Sequence, residues 1–192
     1  MSATFHDSDE TLMLRYRDGD YCAFRELYHR HHRGLYRFIA WQSPRIDWAE
    51  EVAQDTWMRL HHARPDYQVK ARFKTLLYQI ARNRLIDLLR QHQAILASDM
   101  SSSRDDDDSP FDYLVDQAQE ENPQEADLMR RQQQQRLHHA IHTLPHEQKE
   151  ALIMQQFSGL SLDEIASLTG VTMETVRSRL RYAMKKLKQR LN

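Results

Sequence analysis

Apolar positions along this chain recur mostly at intervals of three and four residues, the period of a helix with one buried face, and alternating stretches are almost absent. Leu12, Met13 and Tyr16 predict a first helix over about Asp9–Arg17, broken by Asp18, Gly19 and Asp20. Phe24, Leu27, Tyr28, Leu35 and Phe38 carry a second helix to about Trp41, with Pro44 as its stop. Trp48, Val52, Thr56, Trp57 and Leu60 mark a third, capped by Asp47, with Glu50, Glu51, Gln54 and Asp55 on its other side. After a loop holding Pro65, Asp66, Tyr67 and Gln68, a long helix is predicted from about Ala71 to Gln91 on Phe73, Leu76, Leu77, Ile80, Leu85, Leu88 and Leu89.

The period is lost from Ser98 to about Asn122, where SSSRDDDDSP sits at the centre of a serine-rich, acidic stretch that reads as a flexible linker. Phe111, Tyr113, Leu114 and Val115 interrupt it, either as a docking anchor or as a frayed helical turn. Helical spacing resumes from Pro123 to about His142 with Leu128, Leu137 and Ile141. Pro145 suits the first turn of the next helix, which packs through Leu152, Ile153 and Phe157.

The last stretch, from Gly159 to Asn192, is the most informative. Ser161 and Glu164 form a capping box that starts a short helix at Leu162, and Gly170 supplies the positive φ of a tight turn. A second helix from about Thr172 aligns Val176, Leu180, Ala183 and Leu187 on one face and leaves Glu174, Arg177, Ser178, Arg181 and Lys185 elsewhere. This is a helix-turn-helix arrangement, whose second helix enters the DNA major groove. An ordinary helical hairpin with a solvated charged face is the plainer alternative. The fold class is therefore all-α: two small helical domains, residues 1–97 and 123–192, joined by an acidic linker over 98–122.

Charge sharpens this division. The net charge of −1 hides eleven acids against Arg104 alone between Ser98 and Asp127, a local charge of −10 that leaves +9 for the rest of the chain. Such asymmetry suggests a nucleic-acid binder with an acidic linker. Arg177, Arg179, Arg181, Lys185, Lys186, Lys188 and Arg190 follow one another with no acid among them, a block suited to salt-dependent phosphate contacts. Lys70, Arg72, Lys74, Arg82, Arg84 and Arg90, opposed by Asp87 alone, interleave with Tyr67, Phe73 and Tyr78 around the long helix. That pattern suits a surface that holds phosphates and stacks unpaired bases, or else a solvated basic face over a core of aromatics. Cys22 alone forms no internal disulfide, no apolar run approaches a membrane span, and MSATFHDSDE is no signal peptide, so a cytoplasmic location is expected.

Three blocks together resemble the extracytoplasmic-function RNA polymerase sigma factors of the sigma-70 family. DYCAFRELYHRHHRGLYRFI with AEEVAQDTWMRLH looks like the family's polymerase-binding helices, FKTLLYQIARNRLIDLLRQ like its promoter-melting helix, and LPHEQKEALIMQQFSGLSLDEIASLTGVTMETVRSRLRYAMKKL like its upstream-promoter reader. The resemblance implies that Glu51, Gln54, Asp55 and Trp57 dock on the clamp helices of the largest subunit of core RNA polymerase. It implies that Tyr67, Lys70, Arg72, Phe73, Lys74, Tyr78, Arg82, Asn83 and Arg84 engage the −10 element of promoter DNA, with a flipped base beside the loop around Tyr67. It assigns Thr172, Glu174, Thr175, Arg177, Ser178, Arg179, Arg181 and Lys185 to the −35 element, and it brings an anti-sigma factor as a further partner. It implies no catalytic residue, no metal and no cofactor. Two departures stand out: the family's Thr-Trp-Leu-Tyr-Arg run is here Thr75, Leu76, Leu77, Tyr78, Gln79, and arginines common in the last helix are replaced by Tyr182 and Met184.

Two other classes compete. An autonomous helix-turn-helix regulator would bind DNA as a dimer without polymerase, but it leaves the acidic side of the third helix without a purpose. A metal enzyme is suggested only by the eleven histidines, which include His138 and His142 at a spacing of four but form no HExxH motif.

Overall fold

The computed structural model describes residues 7–43, 45–98 and 125–191. Pro44 and the stretch with Phe111, Tyr113, Leu114 and Val115 lie outside the described residues. Within them the regular structure is helical: α1 (Asp9–Arg17), α2 (Tyr21–Gln42), α3 (Ile46–Ala63), a 3-10 turn (Arg64–Asp66), α4 (Phe73–Ser98), α5 (Glu125–His142), α6 (His146–Gln156), α7 (Leu162–Thr169) and α8 (Met173–Leu191). They group into two compact units. The first takes α1, α2 as far as Ile39, α3 from Asp47, and α4; the second takes residues 40–46 and α5 to α8.

In the first unit, the Ser8 hydroxyl accepts from the Thr11 backbone N–H at 3.1 Å and caps α1, whose Leu12, Met13 and Tyr16 are buried as their spacing predicts. Asp9 ties this helix to α2 through Arg30 at 3.0 Å and His31 at 2.7 Å. Asp20 does more than break α1: its carboxylate accepts from the backbone N–H groups of Cys22 and Ala23 and so starts α2. Ala23, Leu27, Leu35, Phe38 and Ile39 are the buried face of α2, whereas Tyr28, expected in that stripe, is 44% exposed at its edge. Asp47 lies inside the first turn of α3 rather than before it, and its carboxylate accepts from the Trp48 N–H. Thr56, buried in mid-helix, donates its hydroxyl to the Val52 carbonyl at 2.6 Å.

The long fourth helix starts two residues later than its sequence predicts and runs on to Ser98. The first difference has a tertiary cause. Glu10 of α1 accepts from the Phe73 backbone N–H at 2.9 Å, satisfying a free donor at the start of α4 from 63 positions away. The second reflects the absence of glycine or proline from QHQAILAS, which lets the helix propagate beyond its basic segment. Phe73, Leu77, Tyr78, Ala81 and Leu85 are its buried face, and Leu76, Ile80, Leu88 and Leu89 are partly covered. The Tyr78 ring meets Phe38 edge-on at 5.0 Å, and a Cβ on Gly34 would lie only 3.1 Å from the Tyr78 hydroxyl, so glycine here lets α2 approach α4 closely.

The second unit buries Ala140, Ile141, Leu144, Ala151, Leu152, Ile153, Met154, Leu160, Ile165 and Leu168 together with Val176, Leu180, Ala183 and Leu187. Leu137 and Phe157, expected to pack, are 39% and 36% exposed. Pro145 immediately precedes α6 in an extended conformation, and its carbonyl accepts from the N–H groups of Gln148 and Lys149. The side chain of Leu128 lies outside the described residues.

Candidate functional site

The capping box forms as its sequence dictates. The Ser161 N–H donates to Glu164 at 2.8 Å, and the Glu164 N–H donates to the Ser161 hydroxyl at 3.3 Å. Gly170 closes α7 with φ 68° and ψ 30°, the left-handed conformation that glycine adopts without strain, and Val171 returns its N–H to the Ala166 carbonyl at 3.1 Å. Thr172 then caps α8, its hydroxyl accepting from the Thr175 N–H at 3.2 Å. The result is a helix of eight residues, a tight turn, and a helix of nineteen whose buried residues are Val176, Leu180, Ala183 and Leu187.

At about 100° per residue, Glu174, Arg177, Ser178, Arg181, Lys185 and Lys188 share the opposite face of α8. Glu174, Arg177, Arg181, Lys185 and Lys188 are exposed, and Ser178 is half-buried. Arg179, placed with this group by the family resemblance, is half-buried on another flank, which it shares with the exposed Lys186 and Arg190. Thr172 and Thr175 serve the cap and each other, their hydroxyls 2.9 Å apart. Arg177 donates to Glu174 at 3.3 Å, and both side chains are more than half exposed. A surface pair of this kind is worth under about 1 kcal/mol, whereas a bidentate contact to guanine gains about 1–3 kcal/mol, so the pair does not bar Arg177 from DNA. Arg181 lies 5.4 Å over the ring of Tyr182, which is exposed, as is Met184.

In the first unit, residue type and residue placement part company. Phe73 and Tyr78 are 0% and 1% exposed, so neither offers a ring for base stacking. Tyr67, just after the 3-10 turn, is also buried; its hydroxyl has no hydrogen-bond partner among the described residues, and burial followed by the nearby Glu10 and Asp9 charges raises its pKa. Lys70, Arg72 and Asn83 are exposed, and Lys74 and Arg82 are half-exposed. Arg84 turns the other way, toward α3, donating from Nε to Asp55 at 2.6 Å and from Nη2 to Glu51 at 2.7 Å. The resemblance places it among the DNA contacts; in the structure it is engaged in this double ion pair. Trp57 is buried as well, edge-on to Phe24 at 5.9 Å and tilted against Tyr28 at 5.0 Å.

Glu51, Gln54 and Asp55 do lie together on that acidic side, and Met58, 52% exposed, extends it. The sequence reading missed Met58 although its spacing, seven residues after Glu51, placed it there. Among the described residues, no cluster of three His, Cys, Asp or Glu side chains is arranged to hold a metal ion, and no helix is long and apolar enough to cross a membrane.

Comparison with known proteins finds sigma-70 region 2 over residues 27–95 and sigma-70 region 4 over residues 134–187. The ECF RNA polymerase sigma factor RpoE of Cereibacter sphaeroides is 30% identical over 187 residues, covering 94% of this chain and 93% of that protein. RNA polymerase sigma factor CarQ of Myxococcus xanthus is 28% identical, covering 93% of this chain and 95% of its own length. Among solved structures, the sigma factor RpoE of Bartonella quintana, crystallised with the anti-sigma factor NepR, shares the fold with a TM-score of 0.68 at 22% identity, over 88% of this chain and 96% of that one.

Proposed function

As this chain belongs to the extracytoplasmic-function sigma factors of the sigma-70 family, we propose that it binds core bacterial RNA polymerase and directs it to promoters whose −10 and −35 elements it reads with its two units. The observation that carries this reading is the capped helix-turn-helix with an outward cationic face in the same chain as the exposed acidic side of α3. Cations suit DNA phosphates. Carboxylates repel them and therefore suit a protein partner.

Glu51, Gln54 and Asp55, extended by Met58, are the surface that meets the polymerase clamp. Lys70, Arg72 and Asn83, flanked by Lys74 and Arg82, face the −10 strand over a scaffold made by Tyr67, Phe73 and Tyr78. Arg177, Ser178, Arg181 and Lys185 enter the −35 major groove, with Thr172 and Thr175 setting the angle of α8. The protein catalyses no reaction of its own, needs no cofactor, and works in the cytoplasm, where an anti-sigma factor holds it inactive. The Bartonella quintana relative, crystallised with such a partner, supports that regulation.

Run-off transcription with purified core polymerase tests the reading. Adding the chain should start transcripts at a promoter upstream of its own gene, and the chain without polymerase should leave double-stranded promoter DNA unshifted. A specific shift by the chain alone would favour the autonomous regulator instead.

A further inference from the structure

We infer that Arg84 is a positioning residue for polymerase docking, holding the carboxylates of Glu51 and Asp55 in one fixed, outward-facing pair. The inference deepens the assignment of the acidic side of α3 and rests on it.

Glu51 and Asp55 are one helical turn apart, a spacing at which like charges repel and each side chain is driven to swing away from the other. Arg84 reaches between them from α4, its Nε on one oxygen of Asp55 and its Nη2 on one oxygen of Glu51. The arginine side chain is only 14% exposed, whereas those of Asp55 and Glu51 are 40% and 50% exposed. The cation thus lies beneath and the carboxylates above it, each with a second oxygen available to a partner. A guanidinium is planar and carries its donors in a rigid fork, so it fixes two carboxylates in a way that a single ammonium does not.

The arrangement has a kinetic signature. Removing Arg84 makes the surface more negative, which maintains or raises the rate of encounter with a basic partner, and it frees two side chains that must then be ordered on binding. The loss should therefore appear in dissociation.

The test follows association and dissociation of the full-length chain with purified core polymerase for the unsubstituted protein, Arg84→Met, Arg84→Lys, Asp55→Asn and the double variant Arg84→Met/Asp55→Asn. Arg84→Met should dissociate about five- to tenfold faster with no loss in association rate. Arg84→Lys should recover only part of the difference, and it remains informative should the methionine variant fold poorly. In the Asp55→Asn background the Arg84→Met effect should shrink markedly, the mark of coupled residues that a general loss of stability would not produce. If Asp55→Asn speeds dissociation and Arg84→Met does not, the inference falls alone. If Asp55→Asn changes nothing, the assignment of the acidic surface falls and takes the inference with it. Weaker binding of a single-stranded −10 oligonucleotide by assembled Arg84→Met holoenzyme, with dissociation from core unchanged, would return Arg84 to the DNA contacts and overturn the proposal.

Discussion

Phe73 and Asn83 occupy the same basic helix and play opposite parts in it. The phenylalanine is fully buried and the asparagine is exposed. Replacing Phe73 with alanine should cost about 3–5 kcal/mol in denaturant melts, a large share of the stability of a small unit. Asn83→Ala should leave stability within about 0.5 kcal/mol while lowering open-complex formation at promoters. Composition had grouped Phe73 and Tyr78 with the cations, because aromatics near lysines and arginines look the same whether they face a base or a core. The helical period does not separate them cleanly, since at about 100° per residue Lys74 falls between Leu77 and Tyr78 on the arc that also carries Phe73, and it is burial that tells them apart. Arg84 was harder to place. Only the packing of α3 against α4 shows that its partners are Glu51 and Asp55, 33 and 29 positions away.

At the scale of single elements, what was legible depended on the reach of the interaction. The Ser161–Glu164 box, the turn at Gly170 and the inward stripe of α8 are local, and the sequence displays each of them. Ser161→Ala removes one half of the box and should lower stability by about 1 kcal/mol, read as a shift in the unfolding midpoint. The start of α4 was misplaced because its cap comes from Glu10, on a different helix. Helix α5 contributes a pH response of its own. His138 and His142 are both held near a pKa of about 4, first by burial and then by positive neighbours that include Lys149 and His139, and for His138 also His142. The folded chain therefore binds these protons less readily than the unfolded chain, whose histidines titrate near their ordinary value of 6.5. As pH falls below about 6.5 the unfolded state takes up more protons, so the stabilising contribution is full above that value and declines progressively toward pH about 4. Thermal melts should show a lower midpoint at pH 5 than at pH 7.5, and a His138→Gln/His142→Gln variant should show a smaller difference between the two.

For the molecule as a whole, the order of the blocks and the uneven distribution of charge were readable at once, since both survive any uncertainty about which way a side chain points. Two surfaces of opposite sign in one chain call for two kinds of partner, and they should fail independently. Asp55→Lys should weaken binding to core polymerase while leaving promoter preference intact in the holoenzyme that does form. Arg177→Ala should spare polymerase binding and shift promoter choice, as measured by sequencing transcript starts. The division within α8 reaches further. Val176, Leu180, Ala183 and Leu187 hold the helix in place, while Arg177, Ser178, Arg181 and Lys185 contribute little to its core. Promoter preference can therefore drift, or be rewritten by choice, through substitutions that leave the fold nearly untouched. Duplicated copies of such a gene can diverge onto separate sets of promoters in single steps, each step passing through a folded, polymerase-competent protein.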